Sequence, residues 1–164
     1  MDAPVRLRRD TDVAACTRLL HVVHVSDRHQ DRWPEDPASW LRPSGMLAAW
    51  VAERGGRVVG HVTLRVSLPG HGVAIWSQAA GLPQERLACV SRLFTAPDVR
   101  GAGLGGSLLE AACARARAEG RHPVLDVMDD SLAAIALYER RGWRQAGSVA
   151  WKGDYVAPPA DPRE

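Results

Sequence analysis

The sequence predicts one α/β domain with a mixed β-sheet and helices on both faces. Arg54-Gly55-Gly56 favours a tight hairpin, because two adjacent glycines accept the positive φ angles of a short reversal, and a hairpin makes its two strands antiparallel. After Leu87, strands and helices alternate, which favours parallel pairing. A chain of 164 residues, of which 46% are hydrophobic and 24% charged, has the size and composition of one globular domain. We expect that domain over residues 1–157 and a frayed tail over 158–164.

The first half of the chain is predicted to begin with a strand and a helix. Val5–Arg9 alternates apolar and charged residues, as a half-buried strand does. Asp10 or Thr11 can then cap a helix, because a short side-chain oxygen accepts hydrogen bonds from the free amides of its first turn. Apolar residues follow at helical spacing at Val13, Cys16, Leu20 and Val23. A short helix and the two hairpin strands complete this half, over Ala38–Leu41, Leu47–Glu53 and Arg57–Val66.

The second half begins after a loop-rich connection, Ser67–Gln84, which is predicted to hold one helical turn near Ile75–Ala80. A helix over Leu104–Glu119 is predicted to end at Gly120, because glycine readily adopts the left-handed conformation of a helix cap. The other predicted elements are strands over Leu87–Thr95 and Val124–Met128, a helix over Ser131–Arg141, and a last hairpin over Trp143–Ala157 with its turn at Lys152-Gly153-Asp154. The predicted sheet therefore has six to seven strands.

Composition and charge argue against several classes of function. The net charge of +2 is small and the arginines are scattered, so we expect no nucleic-acid partner. The sequence lacks an apolar stretch of about eighteen residues, so no membrane span is expected, and Met1–Asp10 lacks the apolar run of a signal peptide. Cys16, Cys89 and Cys113 are widely separated, which predicts neither a disulfide framework nor a zinc site. We expect a cytoplasmic protein without a bound metal.

Four glycines lie within six residues, between a predicted strand and a predicted helix, at Gly101, Gly103, Gly105 and Gly106. Glycines in this place expose backbone amides at a helix N-terminus and let a phosphate approach without a Cβ in the way. The helix dipole adds roughly half a positive charge, and Arg100 at the rim adds a full one. The segment Thr95–Ser107 therefore predicts an anion site.

Three classes of phosphate binder could use this segment. A P-loop needs a lysine after Gly106, where Ser107 stands. A dinucleotide fold is a closer competitor, because Gly101, Gly103 and Gly106 fit G-x-G-x-x-G and Asp126 lies twenty residues farther on. However, Gly101 lies six residues after the predicted strand rather than directly behind it, and too little chain follows for the second half of a doubly wound sheet.

The third class rests on two segments. Arg100-Gly101-Ala102-Gly103-Leu104-Gly105 fits the acyl-CoA loop of the GNAT superfamily, and Leu93-Phe94-Thr95-Ala96-Pro97 resembles the strand that precedes this loop. Ser131–Trp143 resembles the family's second signature, except that Ser131 stands where asparagine is usual, which weakens one expected contact to the pantetheine arm. The resemblance is sharp from Leu87 onward, while the first half agrees only in the order of its elements.

The resemblance implies a mostly antiparallel sheet whose two central strands splay apart around acetyl-CoA, the acyl donor. It implies that Tyr138 protonates the departing CoA thiolate, and that a backbone amide near Leu93 holds the oxyanion at a bulge in the fourth strand. The pantetheine arm is expected to pair with the free strand edge. The implied CoA-binding residues are Leu93, Phe94, Thr95, Arg100, Gly101, Ala102, Gly103, Leu104, Gly105, Gly106, Ser107, Ser131, Ala134 and Tyr138.

No general base can be identified from the sequence. Many relatives place a glutamate on the fourth strand, but the predicted fourth strand of this chain carries no carboxylate. Ser91 could relay a proton through water, and Glu53 or Asp126 could reach the amine from other strands. A water chain without a dedicated base is an equal alternative. His61 points away from the apolar face of its strand, either as a structural residue or as part of the acceptor cleft.

The acceptor side is predicted from acidic and aromatic residues. The substrate candidates are Asp31, Trp33 and Trp76, with Glu35 and Asp36 close to the first two. Carboxylates beside aromatic rings suit a cationic amine through Coulomb attraction and cation–π contact. We expect an N-acetyltransferase that acts by direct attack of the primary amine of a small molecule. Acetylation of a protein lysine or N-terminus and a non-catalytic acyl-CoA sensor are the alternatives, and a homodimer is common among relatives.

Overall fold

The computed structural model describes residues 4–27, 33–66 and 72–149. Five strands lie side by side in chain order across one sheet: β1 (Val5–Leu7), β2 (Met46–Arg54), β3 (Arg57–Val66), β4 (Leu87–Thr95) and β5 (His122–Val124). The helices are α1 (Val13–Asp27), α2 (Pro37–Trp40), α3 (Val73–Ala80), α4 (Leu104–Ala118) and α5 (Leu132–Arg140). Helices pack on both faces of the sheet, which confirms the predicted α/β class.

The sheet is mixed and mostly antiparallel, as predicted. Strands β1 to β4 pair antiparallel in succession, while β4 and β5 run parallel. The β2–β3 hairpin turns at Gly55 and Gly56, whose φ angles are +58° and +74°. These left-handed angles explain why two glycines stand at the turn.

The predicted count of six to seven strands is too high for the described residues, which form five. β5 covers His122–Val124 rather than the predicted Val124–Met128, because it forms only three residue pairs with β4 before the two strands part. The predicted last hairpin shows no strand over residues 143–149, which have no strand neighbour within the described ranges. Its remaining residues and the predicted tail lie outside those ranges.

The helices follow the predicted apolar stripes. α1 buries Cys16, Leu20 and Val23, and α3 extends over two turns where the sequence predicts one. Leu108 of α4 lies on Gly60 of β3, because a Cβ at Gly60 would stand only 2.7 Å from Leu108 Cδ1. The missing side chain at Gly60 therefore lets α4 pack closely on the sheet.

β4 contains a bulge opposite the middle of β3. Thr63 pairs with Ser91 and His61 pairs with Phe94, so β4 uses one more residue than β3 between the two pairs. Within this stretch Arg92 has a φ of +52°, a left-handed conformation that residues other than glycine seldom adopt. The bulge lies just past the end of the β4–β5 pairing. The predicted splay of the central strands therefore coincides with the bulge in β4.

Candidate functional site

The candidate site is the gap where β4 leaves β5. β5 pairs only with Leu87, Ala88 and Cys89, so from Val90 to Thr95 the described residues provide no strand partner on this edge of β4. A free strand edge presents amide and carbonyl groups with which an extended ligand can pair as an additional strand would. The gap therefore suits a ligand with an extended, amide-containing arm.

His61 holds the bulge from β3. Its fully buried ring stacks on Phe94 with centroids 4.9 Å apart, and its Nδ1 lies 2.9 Å from the Arg92 carbonyl oxygen. Burial lowers the pKa of His61 to about 4, so the ring is neutral near pH 7. Nδ1 must then donate to the carbonyl, while Nε2 accepts from Arg8 Nη1 at 2.9 Å. These contacts favour a structural role for His61.

The Arg92 carbonyl sets the direction of the next amide. No described peptide bond is cis, so the Arg92 carbonyl and the Leu93 N–H point in opposite directions across their shared peptide plane. His61 on β3 binds the carbonyl. The Leu93 N–H therefore points away from His61.

Two arginines tie the bulge to the end of α2. Arg92 stacks on the Trp40 ring at 4.6 Å from its centroid, and its Nε donates to the Trp40 carbonyl at 3.3 Å. Arg8 donates to the Leu41 carbonyl at 2.6 Å. Burial lowers the pKa of both arginines, and the neighbouring Arg65 lowers that of Arg92 further. The bulge and α2 are therefore fixed relative to each other.

The glycine turn before α4 is open. Gly101 and Gly103 have φ angles of +87° and +80°, and a Cβ at either would meet no atom within 4 Å. The first intrahelical bond of α4 runs from the Ser107 amide to the Gly103 carbonyl at 3.0 Å, so the amides of residues 104–106 precede it and have no intrahelical acceptor. Three such amides at the positive end of a helix dipole suit an anion.

The charge of Arg100 is already matched. Its two Nη atoms donate to the two carboxylate oxygens of Asp27, the last residue of α1, at 2.7 and 2.6 Å, which raises the pKa of Arg100. The two residues are 73 positions apart, so no local pattern predicts this pair. The sequence suggests that Arg100 brings a free positive charge to the turn, but Asp27 already neutralises that charge.

Arg141 brings the charge instead. It follows α5 directly, and its guanidinium group occupies the space that a Cβ at Gly106 would need. No carboxylate within the described ranges forms an ion pair with Arg141. No local sequence pattern indicates Arg141, because only the packing of α5 on α4 brings it to the turn.

Tyr138 lies half-buried on α5, with its ring centroid 6.0 Å from that of Trp143. Burial, with a smaller contribution from the Asp126 carboxylate, raises the pKa of Tyr138 to about 12. The phenol is therefore protonated near pH 7, where it can donate a hydrogen bond but cannot act as a base. Asp126 follows β5 by two residues, so the carboxylate that acts on Tyr138 lies near the point where β5 ends.

Ser91 is hydrogen-bonded to Thr63 on β3. The Thr63 hydroxyl donates to the Ser91 carbonyl at 2.9 Å, so the Ser91 hydroxyl is the donor in its 2.8 Å bond to Thr63 Oγ1. Burial raises the pKa of Cys89, two residues earlier, to about 11, so it remains a thiol near pH 7. Neither Ser91 nor Cys89 is therefore a base at neutral pH.

Glu53 lies away from the gap. Its carboxylate pairs with Arg6 at 2.5 Å, and Arg6 also donates to both carboxylate oxygens of Asp12 at 2.8 and 2.9 Å. The strand register places Glu53 two strands and about five residues from Ser91, a separation of roughly 20 Å. The structure therefore does not bring Glu53 together with Ser91 and Tyr138.

Two of the three predicted acceptor residues lie within the described ranges, and their surroundings differ. Trp33 is buried, with its ring edge-on to His21 and His24 at centroid distances of 5.6 and 5.3 Å. It therefore belongs to the core beside α1 rather than to an acceptor cleft. Trp76 on α3 is half-buried against a small apolar cluster at the β4–β5 pairing. Asp31 lies outside the described residues.

The two acidic residues next to Trp33 do not form a pocket for a cation. Glu35 is exposed. Asp36 caps α2, where its carboxylate accepts from the Ser39 amide at 3.3 Å and from the Ser39 hydroxyl at 2.7 Å. These bonds lower the pKa of Asp36. Asp36 therefore serves a helix end.

The remaining predicted CoA-binding residues are distributed along the gap and the turn. Ser131 stands at the N-terminal end of α5 without a capping bond from its side chain, and Leu137 of α5 would lie 3.2 Å from a Cβ at Gly105. The others stand on β4 (Leu93, Phe94 and Thr95), in the turn (Ala102), on α4 (Leu104) and on α5 (Ala134).

Among residues 4–27, 33–66 and 72–149, no helix is both long enough and apolar enough to cross a membrane. The same ranges contain no group of three or more metal-ligating side chains.

Comparison with known proteins identifies the family. Residues 13–143 match the family described as the acetyltransferase (GNAT) family. A mycothiol acetyltransferase from Geodermatophilus obscurus is 31% identical over 153 residues, which are 88% of this chain but only 46% of that protein, so the chain spans about half the length of this relative.

Solved structures support the same fold. The ribosomal-protein-alanine N-acetyltransferase from Brucella melitensis superposes with a TM-score of 0.70 at 22% identity, covering 94% of this chain and 93% of that one. A Salmonella typhimurium protein solved with acetyl-CoA as its cofactor gives a TM-score of 0.64 at 22% identity, with 87% and 79% of the two chains covered. At these identities the likeness shows the fold alone.

Proposed function

This chain belongs to the acetyltransferase (GNAT) family, and we propose that it moves an acetyl group from acetyl-CoA to a primary amine of a small molecule. One observation carries the proposal: β4 parts from β5 at a bulge, and the open glycine turn of α4 lies beyond the end of β4. The name of the Geodermatophilus obscurus relative supports acetyl transfer as the reaction, although the chain spans about half of that protein.

The residues around the gap fit acetyl-CoA. The amides of a pantetheine arm can pair with the free edge of β4 from Val90 to Thr95. The pyrophosphate can accept from the amides of residues 104–106, with Arg141 as the additional positive charge. Bound in this way, acetyl-CoA would supply a thioester carbonyl as the electrophile.

The reaction forms one bond and breaks another. The amine nitrogen bonds to the acetyl carbon, the carbon–sulfur bond breaks, the nitrogen loses a proton, and the sulfur leaves as a thiol once protonated. The Leu93 amide, which points away from His61, is our candidate donor to the oxyanion. His61 contributes by holding the preceding carbonyl, so it is a positioning residue.

Tyr138 is our candidate donor to the departing sulfur. Its pKa of about 12 lies roughly 3.5 units above that of an ordinary thiol, so complete transfer of its proton to the thiolate alone would cost about 5 kcal/mol. We infer that Tyr138 stabilises the developing thiolate through a hydrogen bond, and that its proton moves only when the proton released by the amine replaces it.

The amine proton leaves through water in this proposal. Ser91 and Thr63 bond to each other, and neither hydroxyl is basic near pH 7. They can orient a water molecule beside the bulge but cannot hold the proton. Glu53 is a poor candidate for the base, because its carboxylate forms an ion pair with Arg6 and lies far from Ser91.

A thiol-release assay tests the proposed function. The protein is incubated with acetyl-CoA and a panel of amines that includes peptides with a free N-terminus or lysine, while free thiol and the mass of each amine are followed. We expect thiol release matched by an added acetyl group on a small amine. Tyr138→Phe should lower kcat by about a hundredfold, and Arg117→Gln on the exposed surface of α4 serves as the matched control.

The same assay, together with melting temperatures measured with CoA and with NAD, separates the alternatives. Acetylation of the peptides alone would favour a protein acceptor. A rise in melting temperature with CoA but no thiol release would show a sensor, and a rise with NAD but not with CoA would show a dinucleotide site.

A further inference from the structure

Arg65 and Arg92 lie close together on the face of the sheet that borders the gap. Arg65 stands opposite Cys89 in the β3–β4 register, two residues along β3 from Thr63, and therefore on the same face as the Thr63–Ser91 pair. Arg92 projects from the bulge, and the charge of Arg65 contributes to the lowered pKa of Arg92. Two like charges therefore face the place where the amine must approach.

The positive charge of this pair is not balanced. No ion pair joins Arg65 or Arg92 to a carboxylate within the described ranges. The Asp126 carboxylate acts on Arg92 and on Tyr138 from a distance. Arg8, which contacts His61 at the bulge, is a third guanidinium group here, so the positive groups outnumber the Asp126 carboxylate.

Arg65 also has an unused hydrogen-bond donor. Its Nε is buried without a hydrogen-bond partner of its own, while the guanidinium group interacts with the Cys89 thiol, a weak acceptor whose pKa Arg65 lowers against the effect of burial. Buried donors are nearly always paired, because an unpaired one loses its bonds to water without replacement. An acceptor atom supplied by a ligand would satisfy the Arg65 Nε.

We propose that the acceptor is an amine that also carries a carboxylate, bound between Arg65 and Arg92 while the amine faces the bulge. This rests on the proposed acetyl transfer and names its substrate class. Guanidinium groups bind carboxylates through paired N–H donors. A carboxylate presents two oxygens in one plane, which matches the paired N–H groups of a single guanidinium. The pair disfavours the cationic acceptor that the acidic residues near Trp33 suggest from sequence.

The arrangement also bears on the missing base. A guanidinium group close to an amine favours the neutral form of that amine over the ammonium form, because like charges repel. Arg92 beside the bulge therefore helps the amine to lose its proton to water. The absence of a carboxylate on β4 is consistent with this assistance.

Matched acceptors test the proposal. L-amino acids and the corresponding L-amino acid amides are compared as acceptors, with kcat/KM from thiol release and Kd from calorimetry on the CoA-bound protein. The two forms share the amine and differ in the carboxylate. We expect the acids to be favoured by about tenfold or more in both measurements, because a site built for a carboxylate rejects the neutral analogue.

Variants locate the carboxylate site. Arg65→Gln should raise KM and Kd for the acids by about tenfold and change the values for the amides less than about twofold. Arg65→Lys, which keeps the charge but loses the paired donors, should fall between Arg65→Gln and the unchanged protein. Arg117→Gln near the C-terminal end of α4 removes an arginine far from the gap and should change neither form.

The outcomes separate the two proposals. Equal Kd values for acids and amides, or an equal loss of both in Arg65→Gln, would overturn the carboxylate site even if thiol is released. Absence of thiol release with every amine would overturn the acetyl transfer, while calorimetry alone would still decide the carboxylate site.

Discussion

Arg6 and Arg65 show two ways of holding an arginine on this sheet. Arg6 on β1 contacts the carboxylates of Asp12 and Glu53, and these bonds raise its pKa. Arg65 on β3 has no carboxylate partner within the described ranges and keeps a buried donor unpaired. Both side chains belong to partly exposed residues. Charge balance, rather than exposure, therefore distinguishes the two arginines.

The largest expected effect comes from removing the support that His61 gives to the bulge, near the unpaired Arg65. His61→Phe should keep the stacking on Phe94 but lose the bond to the Arg92 carbonyl, so the Leu93 amide is no longer held in place. We expect kcat to fall by about a hundredfold with KM for acetyl-CoA nearly unchanged. Steady-state kinetics measures this split.

His61→Gln provides the control for that prediction. Its amide can donate to the carbonyl and accept from Arg8, so it should recover part of kcat. If His61→Phe and His61→Gln lose kcat equally while both keep the native circular dichroism spectrum, the positioning role is incorrect.

Loss of the ion pairs that Arg6 makes with Asp12 and Glu53 should lower the stability of the protein rather than its activity. Arg6→Met leaves the buried Asp12 carboxylate with only the Arg9 backbone amide as a partner. We expect the free energy of unfolding to fall by about 2 kcal/mol, less than for a fully buried pair, because Arg6 is partly exposed. Urea denaturation measures this loss. Below the transition kcat should be unchanged, and a loss of kcat without a loss of stability would contradict the comparison.

Acid should weaken the Arg6–Asp12 pair, and with it the stability of the fold, in a defined pH range. The pKa of Asp12 is about 2, below its ordinary value near 3.8, mainly because of the hydrogen bonds from Arg6. A lowered carboxyl pKa contributes stability above the ordinary value, and that stability is lost as the pH falls from about 4 to 2. We expect a loss of about 2 kcal/mol over this range.

Asp12→Asn isolates this contribution. The variant should be less stable at pH 7 and should lose less stability between pH 4 and 2, where Asp36 and Asp98, whose pKa values are also lowered, contribute in both proteins. His61, whose pKa of about 4 lies below its ordinary value near 6.5, should account for a separate loss as the pH falls from 6.5 to 4 in both proteins. Unfolding curves at several pH values measure the acid response of both proteins. An identical response in the two would contradict the assignment to Asp12.

The smallest of these effects concerns the two arginines near the glycine turn. Arg141→Gln should raise KM for acetyl-CoA by about tenfold, because it removes an unbalanced charge from the first turn of α4. Arg100→Gln should raise it by less than about threefold, because Asp27 already neutralises Arg100. Steady-state KM values compare the two variants. The opposite ranking would indicate that Arg100, rather than Arg141, binds the pyrophosphate of CoA.

Local patterns predicted most of the fold. The pair of glycines at positions 55 and 56, the apolar run at the start of Leu87–Thr95 and the apolar spacing of α4 each act over a few residues, so they can be recognised without the fold. The strand count was too high because β5 ends where β4 diverges, and divergence depends on the packing of both strands rather than on the apolar residues after Val124.

The site was less predictable because its parts come from distant positions. The glycine turn has a local signature, but the Arg100–Asp27 pair and the contact of Arg141 with Gly106 arise only in the folded chain. Trp33 and its acidic neighbours looked like a binding surface in sequence, yet the ring packs into the core. The left-handed angle of Arg92 has no sequence signature, because that conformation usually signals glycine.

That angle has a consequence for laboratory evolution of this protein. An L-residue with a side chain costs about 1 kcal/mol or more in the left-handed region, whereas glycine adopts it freely. Arg92→Gly would relieve the backbone but would also lose the stacking on Trp40 and the hydrogen bond to its carbonyl, which together are worth about as much as the strain. Selection for heat resistance therefore has little to gain at position 92, and a strained arginine can persist there.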